Sequence, residues 1–152
     1  MNVKEVFLEQ LSACHNQNAW FVSLHHAIKD LSTEQASWKL NDSSNSIWEI
    51  VNHLNYYNER YLLRLQGEDI PKGVHTNDYT FQPIETDWKT AVDRMNTILS
   101  DWSRALENCD EAALNKWVGD ITQLTIHNAY HIGQIVHIRK QQEAWDPSQG
   151  VH

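Results

Sequence analysis

Two histidines four residues apart, His127 and His131, lie in the stretch Ile126-His-Asn-Ala-Tyr-His-Ile-Gly-Gln-Ile135. In a helix that spacing sets both imidazoles on one side, one turn apart, within reach of a single ion. A third imidazole, His53, sits in Ser46-Ile-Trp-Glu-Ile-Val-Asn-His-Leu-Asn55. Added to the pair, it completes three neutral nitrogen ligands with a coordination position left open. That is the ligand count of a catalytic metal site, whereas a structural site usually closes with four protein ligands. The chemistry such a set supports is activation of a nucleophile by a divalent cation. The pair does not match the zinc-protease signature HExxH, because Asn128 follows His127 where a glutamate would stand.

The elements that must position these residues are helices. The third and clearest segment runs from Thr86 to about Leu106, with apolar positions Trp88, Ala91, Val92, Met95, Ile98, Leu99, Trp102 and Leu106 in steps of three and four. Thr86 is its expected N-cap, with Asp87 in the first turn. The second segment runs from Ser46 to about Gln66; Ser46 and Glu49 form a capping box and Gly67 the stop. The fourth is expected from about Asp120, as N-cap, to Gln142, with the stripe Ile121, Leu124, Ile132, Ile135 and Val136. Gly133 in its interior costs about 1 kcal/mol of helix propensity and predicts close packing there. The first segment, Val3 to Asp30, is less regular. No alternating strand pattern accompanies them, so the class is all-α, a four-helix bundle. The loop between the second and third helices, Gly67 to Glu85 with Pro71, Gly73 and Pro83, is long enough for a crossover or a functional rim.

Orientation sorts the nine histidines. His131 lies about 60° and His127 about 100° from the centre of the fourth stripe, on the same shoulder. His53 lies about 120° from the centre of its own stripe, which assigns it to a groove edge, and His137 about 180° away, which assigns it to solvent. The three candidates therefore point towards a cleft between helices. For His15, His25, His26 and His75 the expected role is structural or solvated. Trp20, Trp48, Trp88, Trp102 and Trp117 are expected in core or dimer packing, and Cys14 and Cys109 as ordinary thiols. Glu49, one turn before His53, is the carboxylate best placed by spacing to orient it, unless it only closes the cap.

Composition narrows the function classes. The chain of 152 residues reads as a single domain, residues 1–152, and no apolar run reaches membrane-spanning length. A formal charge of −8 without a basic cluster argues against nucleic acid and anionic membranes as partners. The start lacks a signal-peptide pattern, and two distant cysteines indicate the cytoplasm.

Trp48, Asn52-His53-Leu54 and His127-Asn-Ala-Tyr-His131-Ile-Gly133-Gln134-Ile135, with the length and the long loop, resemble the DinB-like superfamily of small metal-binding four-helix bundles. Ile132 stands where many members carry arginine. The resemblance implies an up-down-down-up bundle with a long crossover between helices two and three, often a homodimer. It implies a divalent ion, Zn2+ or Ni2+, on His53, His127 and His131. It also implies transfer of a low-molecular-weight thiol such as bacillithiol, mycothiol or glutathione onto a small-molecule electrophile. The alternatives are a metal-dependent hydrolase of the same superfamily, a non-catalytic metal- or small-molecule-binding bundle, and a dimerising bundle without metal.

Overall fold

In the computed structural model of the chain the described residues are 1–71, 73, 75–84 and 87–151. Among them are helices α1 (Val3–His15), α2 (Leu24–Ala27), α3 (Thr33–Ser37), α4 (Ile47–Leu65), α5 (Trp88–Asn108) and α6 (Glu111–Gln141), with 3-10 turns at Asp78–Phe81 and Pro147–Gln149. No strand occurs among the described residues. The four long helices, α1, α4, α5 and α6, pack as an all-α bundle in which α4 and α1 each lie against both α5 and α6.

Local chemistry sets the helix ends. The Ser46 hydroxyl accepts from Glu49 N and the Glu49 carboxylate accepts from Ser46 N, so the capping box at the start of α4 is complete. Gly67, at φ +91°, takes the left-handed turn that ends it. The expected cap Thr86 lies outside the described residues, and Asp87 caps α5 by accepting from Thr90 N. Two expectations need correction. The last helix does not start at Asp120 but at Glu111, capped by Asp110 accepting from Ala113 N. Glu111-Ala-Ala-Leu114 is a run of strong helix formers, and the interior Gly119 is tolerated at about 1 kcal/mol. The first segment does not run to Asp30 but stops at His15. Asn16, Gln17 and Asn18 follow, and Asn18 Oδ1 accepts from Ser23 N, a side-chain bond that competes with continued helix.

Side-chain contacts give the helix directions. Trp48 stands beside Trp88, Asn55 Nδ2 donates to Ala91 O, and Trp102 Nε1 donates to Asn58 O, so α4 and α5 advance together. Along α4 and α6 the order is opposite: His53 meets His127 and His131, whereas Tyr61 shares a cleft with Asp120. Two apolar clusters fill the bundle, one around Ile50, Leu54, Met95 and Ile132, the other around Leu62, Trp102, Leu106 and Ile121. Between them, along α4 and α6, runs a buried amide layer. Asn58 and Asn128 exchange two hydrogen bonds, of 2.8 and 2.9 Å. Apolar side chains tolerate sliding, but slipping this pair would strand buried amides at about 1–3 kcal/mol each. Asn128 directly follows His127, so the same pair sets the axial level of the histidines.

One other expectation falls, that of close packing at Gly133. Trp102 and Trp88 are core residues and Trp48 and Trp117 are half-buried, whereas Trp20 is 97% exposed and lies outside the core. Gly133 is exposed, and a Cβ there would meet nothing within 4 Å, so close packing is not the reason for it. The sequence pattern did not disclose the role of Arg139, which is 4% exposed. Its Nη1 donates to Ala27 O and Lys29 O and its Nε to Ala144 O, fastening the end of α2 to α6.

Candidate metal centre

α4 and α6 bring His53, His127 and His131 together, with ligand-capable nitrogens all within 4.8 Å of one another. His127 Nε2 lies 2.9 Å from His53 Nε2 and 3.1 Å from His131 Nε2. Nitrogens bound to one ion at about 2.0–2.1 Å sit about 3.0–3.4 Å apart, so the spacing suits a shared divalent cation.

The protons supply a stricter test. Thr80 donates its hydroxyl proton to Asn77 O at 2.6 Å, so its oxygen accepts from His53 Nδ1, also at 2.6 Å. Gln134 Oε1 accepts from His131 Nδ1 at 2.7 Å. Both rings are thus Nδ1–H tautomers, and both turn the Nε2 lone pair towards His127 Nε2. One proton on His127 can serve only one of the two lone pairs. The other lone pair is then left without a proton at about 3 Å, a deficit that a shared cation fills by coordination. The residues present fit a divalent metal.

Burial keeps the ligands neutral. Desolvation, then the neighbouring imidazoles of His131 and His127, pushes His53 down to about 3. Desolvation and then His131 push His127 down to about 4, and burial lowers His131 against the opposing pull of its bond to Gln134. Neutral imidazoles are what a metal requires.

The surroundings close one side and leave the other open. Phe81 stacks on His53 with centroids 4.1 Å apart, and Tyr57 meets His53 and His127 edge-on. The 3-10 turn Asp78–Phe81 folds over α4, so His53 is 2% exposed and does not sit at a groove edge as expected. His127 is half-buried and lines a cleft of about 330 Å3 with Tyr57, Tyr61, Asn77, Asp120, Gln123 and Leu124. Access to the nitrogens is therefore from the His127 side. His137 is exposed, as expected, and His75 is exposed and stacked on Tyr79. His15 is buried and bonded to Asn96, a structural role.

Glu49 does not orient His53. Its carboxylate pairs with Lys39 Nζ at 2.6 Å and closes the α4 cap. The orienting groups are Thr80 and Gln134, neither of which the spacing argument selected. The one signal for Thr80 was the length of the loop that carries it. Cys14 is buried, and desolvation drives its thiol up to about 12, so it is an inert core group.

Two outcomes follow from this geometry. Thr80→Val keeps the shape but removes the acceptor for His53 Nδ1; zinc affinity should fall about 10- to 100-fold in competition with a chromophoric chelator, with helicity unchanged. In metal-free protein the unfolded imidazoles take up protons below about pH 6.5, while folded His127 and His53 resist to about 4 and 3. The unfolded state then holds more protons, so stability should fall as pH drops from about 6.5 towards 4. Denaturant midpoints measured in chelator across that range, flattened in His127→Gln, check the sign.

Comparison with protein families matches residues 19–135 to the DinB superfamily, a span that contains the whole histidine cluster and the turn that covers it. Curated proteins and solved structures give no match. A helical bundle carrying three convergent imidazoles and a family match over most of its length lead to one assignment: the chain belongs to the DinB superfamily.

Proposed function

We propose that His53, His127 and His131 hold a divalent metal, Zn2+ or Ni2+, in a three-nitrogen site with an open position, and that the protein transfers a low-molecular-weight thiol onto an electrophile. The observation that supports this most is the pair of outward Nδ1–H bonds, to Thr80 and Gln134, which leaves two inward lone pairs on a third nitrogen. When bound, such an ion lowers the pKa of a neighbouring thiol or water.

The chain's own residues favour a thiol over water as the nucleophile. A thiol ionises near pH 8.5 and needs little help, whereas water, at about 15.7, usually needs a base as well. No described carboxylate bonds to any of the three histidines, and Glu49 is engaged by Lys39 and the α4 cap. Burial raises the Tyr57 hydroxyl above its usual range, so it remains protonated and donates to Asn77 rather than acting as a base. Thr80 and Gln134 hold the imidazoles in the ligating tautomer, and Phe81 excludes water from the His53 face. The electrophile enters by the cleft at His127. In the transfer a carbon–sulfur bond forms as the bond to the leaving atom breaks; a halide departs with that electron pair and the thiol proton passes to solvent, or an epoxide oxygen keeps the pair and takes up a proton. We also assign a single domain, a homodimer and a cytoplasmic setting to this reading, from the resemblance and the sparing use of cysteine.

Titration of the metal-free protein with Zn2+ and Ni2+ should give one equivalent bound tightly, lost in His131→Ala. The loaded protein incubated with glutathione, cysteine or bacillithiol and 1-chloro-2,4-dinitrobenzene or an epoxide should form conjugate. Tight binding without conjugate across thiols and electrophiles would favour the hydrolase or the non-catalytic binder. Absence of stoichiometric metal would reject all of these metal-dependent readings, the transferase included, and leave a dimerising bundle without metal.

A further inference from the structure

We propose that the cleft beside His127 selects an organic cation, a protonated or quaternary amine carried on an aryl or short alkyl group, with its ammonium at Asp120. Asp120 is half-buried and lines the cleft. It neither bonds to nor pairs with any described residue. A carboxylate on the wall of a recess, with no cation bonded to it, is open to a charge-assisted bond from a ligand cation. Asp120 is also the one charged side chain among the described lining residues.

The walls agree with the charge. Tyr57 and Tyr61 present aromatic surface beside the carboxylate, a combination that attracts a cation and a flat apolar group together. Gln123 and Asn77 add neutral amides and Leu124 an apolar floor. Arg64 lies over the Tyr61 ring with its centroid 5.0 Å away and Arg60 over Tyr56, but neither lines the cleft, and Arg64 donates to Ile70 O. The net charge of −8 acts in the same direction by drawing cations and repelling polyanions.

Spacing then orients the ligand. Asp120, Gln123 and His127 follow one face of α6 in steps of three and four, so carboxylate and imidazole stand about 10 Å apart along the helix. An amine anchored at Asp120 directs its other end to the histidine cluster. The identity of that end as the reacting one rests on the metal reading above; the charge preference does not. Among electrophiles for this site, amine-bearing ones are favoured and polycarboxylate ones disfavoured.

Calorimetry with benzyltrimethylammonium, benzyl alcohol and benzoate tests this on metal-free and zinc-loaded protein. Benzoate is compared only in the metal-free form, since it can ligate zinc directly. The cation should bind at least roughly five-fold more tightly than the alcohol in both forms. Asp120→Asn should bring the cation down to the level of the alcohol without moving the alcohol, and Asp120→Glu should keep most of the preference. Equal or tighter binding of alcohol or benzoate in the metal-free protein would overturn the proposal. So would a cation affinity unchanged in Asp120→Asn, or no measurable binding of the cation. Failure of the metal reading is separately visible, as a cation preference that persists in a protein binding no zinc.

Discussion

The structure turns on a conflict between lone pairs. His53 and His131 each have their Nδ1 proton bound outward, to Thr80 and Gln134, and each turns Nε2 towards the single Nε2 of His127. Left to themselves, imidazoles so placed would rotate apart or take up a proton. Rotation is opposed by the rings of Phe81 and Tyr57 and by the outward bonds, and protonation by burial. The remaining relief is a cation at the convergence, which is why the cluster reads as a metal site and not as three satisfied core histidines.

Holding that conflict in place is the task of the polar layer behind it. The reciprocal amide pair Asn58–Asn128 lies beside His127 on α6, and Asn55 and Trp102 fasten α4 to α5 at neighbouring levels. An all-apolar interior would hold the helices as firmly but would define their axial register less sharply. The buried amides lose their bonds on any slip, so they convert helix packing into a fixed height for each imidazole. Arg139, fastened to three backbone carbonyls, does similar work at the far end of α6. Stability and site geometry therefore share residues: a change to the amide layer should move both.

What could be read from the sequence was the chemistry that repeats along helices. The i,i+4 pair, the stripe of the third segment and the Ser46–Glu49 box are local signals, and each corresponds to a formed element. What could not be read depended on chain returning from a distance. His53 lies at the edge of its own helical stripe, yet it is buried, because the turn Asp78–Phe81 folds over it. Thr80 has no periodic partner and no motif. The same limit explains Glu49, whose spacing pointed at His53 while Lys39 claimed its carboxylate. Within α6, Asp120 resembled an N-cap, but the helix formers before it and the Asp110 cap outweighed that signal. Most of the candidate site was visible as ligands, and little of it as support.

X-ray absorption at the zinc edge of the loaded protein reads the ligand set itself. The expected result is three imidazole nitrogens at about 2.0–2.1 Å, with a further light atom that changes when a thiol is added. Two or fewer imidazoles, or a sulfur ligand from Cys14 or Cys109 without added thiol, would contradict it.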